Sequence, residues 1–129
     1  MKNITVTKRF TFEASHNLIK YEGKCSNLHG HSYKLEVSFT SESRLNSQGM
    51  VLDFNLIDEI VKPIVDRYDH HYLNDFFSNP TAEVMAGSIF NEIQYILSDR
   101  NNIPNFEGIY ISEVKLWETE KCFVSVKGD

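Results

Sequence analysis

Two stretches decide the fold: Thr5–His16, TVTKRFTFEASH, and His29–Thr40, HGHSYKLEVSFT. Side chains alternate faces along a strand, so Val6, Phe10, Phe12, Ala14 and His16 share one side, while Thr5, Thr7, Arg9, Thr11 and Glu13 take the other. His29 and His31 have the parity of Tyr33, Leu35, Val37 and Phe39, again the apolar side. Three histidines therefore stand at strand ends on an apolar face. Imidazoles two residues apart on one strand reach a common ion, and a neighbouring strand supplies a third. Three protein ligands leave one tetrahedral position open, as in catalytic rather than structural zinc sites. Ligand type alone also suits nickel, copper or iron.

Outward from these stretches, strands are expected at about Thr5–His16 and His31–Thr40. A long connection holding Gly23, Cys25 and Gly30 joins them, and a loop of that length is usually functional. Ser41–Gly49 reads as a surface turn, and a short apolar run, Met50–Phe54, leads into a helix. From Asn55, the residues Leu56, Ile57, Ile60, Val61, Ile64, Val65 and Tyr68 recur at helical spacing, with Asp53 as cap and a kink or early end expected at Pro63. A second helix carries Ala82, Ala86, Ile89, Ile93 and Ile96 on one face, with Asn79 suited to the cap and Pro80 to the first position, and runs to about Ser98. Gly108–Glu118 and Cys122–Val126 read as two final strands. The order β-β-α-α-β-β fits an α+β fold: a four-stranded antiparallel sheet with two helices on one face. Its other face is uncovered and its two edges are unpaired, which points to a homo-oligomer.

A chain of 129 residues is expected to form a single domain over 1–129. It has no leader and no apolar run of membrane-spanning length, so a cytoplasmic protein without a membrane partner is expected. A formal net charge of -5 argues against nucleic acid as a partner but leaves a polyanionic small molecule open. Lys20, Lys24 and Arg9 are candidates by position to meet such a polyanion. Cys25 and Cys122 make neither a disulfide framework nor a Cys-x-x-Cys pair.

Cys25 precedes His29 closely enough to be a fourth ligand, which would close the site. Unbound beside a metal, it would instead be an activated thiol serving as base or nucleophile, and a small buried thiol is the third reading. Cys122 lacks partner groups and reads as packing. Tyr68–Asp75, YDHHYLND, gathers acids and imidazoles in a loop after the first helix. Asp69 beside His70 can fix the imidazole tautomer and raise its basicity, and His71 points elsewhere. Glu118 has the parity of Tyr110, Val114 and Leu116, and a carboxylate on an apolar face needs a partner. The amino-imine edge of a heterocycle is one, accepted in bidentate fashion.

Taken together, Phe10–His16 (FTFEASH), Lys24–His31 (KCSNLHGH), Gly49–Phe54 (GMVLDF), Asp69–Asp75 (DHHYLND), Pro80–Glu83 (PTAE) and Trp117–Thr119 (WET) resemble the 6-pyruvoyltetrahydropterin synthase family. The likeness runs over nearly the whole chain. The uninterrupted CSNLHGH spacing is most similar to the family's bacterial branch, which forms 6-carboxy-5,6,7,8-tetrahydropterin for queuosine. The resemblance implies the tunnelling fold, trimers pairing into hexamers, and active sites between subunits. It assigns Zn2+ to His16, His29 and His31, and the role of general base to Cys25. By the same resemblance, His70 completes a relay oriented by Asp69 or linked to Glu118, and Glu118 anchors the pterin ring with Thr81 nearby. The implied reaction of the carboxy branch takes 7,8-dihydroneopterin triphosphate to the carboxypterin, releasing triphosphate and acetaldehyde. The pyruvoyl branch stops at the dicarbonyl product. A non-catalytic, zinc-stabilised binding module is the reading from another class.

Overall fold

The computed structural model describes residues 3–19, 22–42 and 44–128, and for Cys25 the backbone alone. Strand β1 (Ile4–His16) and strand β2 (His29–Ser41) pair antiparallel without a slip, from Ile4 opposite Ser41 to His16 opposite His29. The expected alternation is what is observed: Phe12, Ala14, Tyr33, Leu35, Val37 and Phe39 are buried on one face. Helix α1 (Phe54–Tyr68) and helix α2 (Ala82–Asp99) pack into the same apolar cluster as those strand residues. Burying one such side chain stabilises by roughly 1.5–3 kcal/mol, which fixes the strand register that aligns the histidines.

Asp53 caps α1, its carboxylate accepting from the Asn55 N–H at 2.7 Å. The helix runs through Pro63 to Tyr68, so the early end expected there does not occur. Pro63 and Glu59 are both exposed, so the Glu59 carbonyl that loses its donor faces water, while Ile57, Ile60, Val61, Ile64 and Val65 hold the opposite side in the core. Helix α2 is capped by Thr81 and not by Asn79, and its first residue is Ala82 and not Pro80: Thr81 Oγ1 accepts from the Val84 N–H at 3.1 Å. The first turn thus starts two residues later than expected.

The sheet has five strands, in the order β3-β1-β2-β4-β5, where four were expected. The additional β3 (His71–Tyr72) pairs parallel with β1 at Ala14 and Ser15, so the sheet is not purely antiparallel. Strands β4 (Ile109–Thr119) and β5 (Cys122–Lys127) complete the other side. The pairing of β2 with β4 shifts register between Ser38 and Phe39, leaving Ser112 as an extra residue on β4. That shift reverses the face of everything before it, so Ile111 is buried and Tyr110 is 40% exposed, against the expectation that Tyr110 shares the face of Val114 and Leu116. Cys122, expected to pack, is exposed.

Candidate metal and substrate site

His16 is fully buried at the end of β1. An imidazole there must be hydrogen-bonded, and its Nδ1 lies 2.8 Å from the Pro80 carbonyl, with the Tyr33 hydroxyl 3.3 Å from the same nitrogen. A carbonyl only accepts, so Nδ1 carries the hydrogen and Nε2 is left with a lone pair. His29 repeats the device, giving its Nδ1–H to the Asn27 carbonyl at 2.7 Å. The two Nε2 atoms lie 3.1 Å apart, and in these tautomers neither carries a hydrogen to donate to the other. His31 completes the group; its Nε2 is buried and makes no hydrogen bond among the described residues, although Glu118 Oε1 is 3.2 Å away.

One ligand atom from each histidine falls within 4.8 Å of the others, and the ring centroids are separated by 4.6, 4.8 and 5.0 Å. Burial holds the His31 pKa below its ordinary value against the opposing Glu118 carboxylate, and His16 and His29 add to the lowering. The His31 ring is thereby biased toward the neutral form a metal requires. Lone pairs that converge, with tautomers set by carbonyls behind them, fit a divalent cation that prefers nitrogen ligands. Burial also raises the Tyr33 pKa, with Glu118 adding to it, so the hydroxyl behind His16 stays protonated.

Glu118 sits at the end of β4, with its Oε1 3.2 Å from His31 Nε2. Cys25 belongs to a single 3-10 turn, Lys24–Ser26, entered through Gly23 at φ 132, a conformation that suits glycine. The Cys25 side chain and Lys20 lie outside the described residues. Asn27, whose carbonyl holds His29, is the residue that ends the same turn.

Asp69 ends α1, and its Oδ1 accepts from the Glu13 N–H at 2.9 Å and faces His70 Nδ1 at 3.0 Å. Those two contacts, the Glu13 amide first, hold the Asp69 carboxyl below its ordinary pKa. His70 has φ 59, the one positive value among described non-glycine residues, and its N–H meets the Glu13 carbonyl. The left-handed residue turns the chain so that β3 can join β1. His70 is exposed and His71 Nδ1 lies 2.7 Å from the Asp69 carbonyl, so one aspartate orients both rings. Glu13, His31, Ser32, His70 and His71 border one cavity of about 420 Å3. The sequence reading attached no role to His71; its signal was the second imidazole of the pair.

Thr81 caps α2 directly after the carbonyl that holds His16. Of the residues suggested for a polyanion, Arg9 is committed to Glu36, with Nε at 2.9 Å, and Lys24 is exposed in the turn.

Fold and histidine group together define an α+β protein with a three-imidazole site able to hold a metal. Residues 5–129 match the model of the family described as 6-pyruvoyl tetrahydropterin synthase, and the chain belongs to that family. It is 33% identical to the 6-carboxy-5,6,7,8-tetrahydropterin synthase of Rickettsia felis, over 95% of this chain and 99% of that protein. It is 32% identical to the protein of the same name from Haemophilus influenzae, over 92% and 94%. Among solved structures, that of Caenorhabditis elegans 6-pyruvoyl tetrahydropterin synthase matches with a TM-score of 0.79 at 26% identity, over 100% of this chain and 98% of that one. No helix of the described residues is long and apolar enough to cross a membrane.

Proposed function

We propose that this chain is a zinc-dependent lyase that converts 7,8-dihydroneopterin triphosphate and water to 6-carboxy-5,6,7,8-tetrahydropterin, with release of triphosphate and acetaldehyde. The observation that carries this reading is the convergence of one ring nitrogen from each of three histidines, two of them with tautomers set by main-chain carbonyls, in a chain whose relatives bear that enzyme's name. His16, His29 and His31 hold the zinc, which when bound supplies a Lewis acid beside the substrate's hydroxyls. Cys25, as thiolate, takes a proton from the side chain. Asp69 orients His70, whose free Nε2 passes that proton onward. Glu118 accepts the two parallel N–H groups of the pterin ring, and Thr81, at the neighbouring helix start, borders the same ring.

The protein works as a single cytoplasmic domain in a homo-oligomer, a hexamer with active sites between subunits, and needs neither nucleic acid nor membrane. The unpaired outer edge of β5 and the polar face of the sheet support the oligomer, since exposed edges favour pairing.

The pyruvoyl product is the second reading, favoured by the name of the C. elegans structure. Incubation with dihydroneopterin triphosphate separates the two. Both triphosphate and acetaldehyde are expected; triphosphate without acetaldehyde overturns the carboxy assignment. No turnover by zinc-loaded protein returns the chain to a binding module.

A further inference from the structure

The Asp69–Tyr72 corner holds a second oriented imidazole that the proposed reaction does not use. His71 gives its Nδ1–H to the Asp69 carbonyl at 2.7 Å, and His70 faces the Asp69 carboxylate at 3.0 Å through the same nitrogen. A neutral imidazole committed in this way has only an acceptor left, at Nε2. His70 and His71 thus bring two acceptors to the 420 Å3 cavity that His31 also borders. The rest of the wall carries no Lys or Arg to meet an anion, and Ser15 adds a single hydroxyl. Glu13 is a carboxylate, the Ser32 hydroxyl is given to it at 2.6 Å, and the Tyr72 hydroxyl is given to Asn17. A phosphate would meet lone pairs and a negative charge there. Adjacent alcohols would meet acceptors for both of their hydrogens.

Resting on the pterin reading above, we infer that His71 is a substrate-contacting residue: with His70 it accepts hydrogen bonds from neighbouring hydroxyls of the substrate's polyol side chain. The cavity takes that uncharged part of the substrate, and the phosphates are bound elsewhere.

The test uses zinc-loaded protein and three probes: neopterin, which has the hydroxylated side chain; 6-methylpterin, which lacks it; and inorganic triphosphate. His71→Asn keeps a donor for the Asp69 carbonyl but withdraws the acceptor at Nε2, and His71→Gln puts an amide back near that position. Fluorescence titration of His71→Asn is expected to show neopterin affinity down about tenfold, the worth of one hydrogen bond. Affinity for 6-methylpterin and for triphosphate should be unchanged, and His71→Gln should recover most of the loss. Equal weakening for both pterins, unchanged neopterin affinity, or loss of triphosphate binding in His71→Asn overturns the inference. Wild-type protein that binds neither pterin overturns the proposed function, and this inference with it. Failure of neopterin alone to respond to either substitution overturns this inference only.

Discussion

His16 and His29 stand opposite one another in strand register, and each gives its Nδ1–H to a main-chain carbonyl, yet what lies behind the two carbonyls differs. Behind His16 is Pro80, buried, at the capped start of α2 and tied to the apolar core. Behind His29 is Asn27, exposed, at the end of a single 3-10 turn tied by Ser26 N–H to Gly23 at 3.2 Å, Asn27 N–H to Lys24 at 3.1 Å and the Ser26 hydroxyl to the Gly23 carbonyl at 2.7 Å. One wall of the site is therefore made by folding itself. The other is a short turn held by few bonds, and it carries Cys25. The difference teaches that the buried wall behind His16 and the turn whose backbone includes Cys25 are stabilised separately, joined through the His29 ring.

The largest effect should come from taking function away from the turn without touching the wall. Cys25→Ala should lower turnover by about 10²–10⁴, the range for losing a general base, while zinc content stays at one per chain and the melting temperature holds. Loss of zinc along with activity would make Cys25 a ligand and end the separation between turn and wall. Next in size is a paired substitution at the ligands themselves. His16→Ala and His29→Ala should both lose zinc, measured by metal analysis. In metal-free protein, however, only His16→Ala should cost stability, about 1–3 kcal/mol in urea, because it orphans the buried Pro80 carbonyl. His29→Ala should stay within about 0.5 kcal/mol, since the Asn27 carbonyl can turn to water. Equal costs would mean that the turn is as firmly built as the wall.

What the sequence could and could not reveal follows the same division. The histidine trio was legible because β1 and β2 pair without a slip, so parity read by eye survives in three dimensions. Parity failed on β4, where Ser112 is an extra residue and Tyr110 turned outward; no residue in that run announces a bulge. Strand β3 is two residues long and exists because His70 takes φ 59, a choice no alternation pattern encodes. Pro63 misled because its penalty depends on whether the orphaned carbonyl meets water, which is a matter of burial. The partners that set the imidazole tautomers are main-chain carbonyls of Pro80 and Asn27, and backbone atoms have no letter in the sequence. Side chains with chemistry were visible, as was Asp69, the side chain that aims His70, but the main-chain groups that aim His16 and His29 were not.

A smaller effect would sharpen the comparison on the turn itself. Removing zinc should speed amide exchange at Ser26 and Asn27 several-fold, because an unligated His29 ring is free to leave the Asn27 carbonyl. Exchange at Val84, whose N–H is held by Thr81 beside Pro80, should not change. Acceleration at both places would show that the metal supports the wall as well.

The smallest effect concerns Asp69, which fastens the His70–His71 corner to β1. Its folded pKa is lowered, first by the Glu13 N–H and then by His70, so its contribution is complete above the ordinary carboxylate value and is lost as pH falls through the folded value. Asp69→Asn can keep the acceptor for Glu13 but not the charge. Wild type should therefore be slightly the more stable at neutral pH, with the gap closing below about pH 4. Urea midpoints across that range decide it. Because the carboxylate is open to solvent, salt should shrink the gap, and a gap that survives high salt would mean that Asp69 acts by shape rather than charge. In that case His70 and His71 are aimed by the backbone turn alone, and the corner belongs with the wall made by folding rather than with the Cys25 turn.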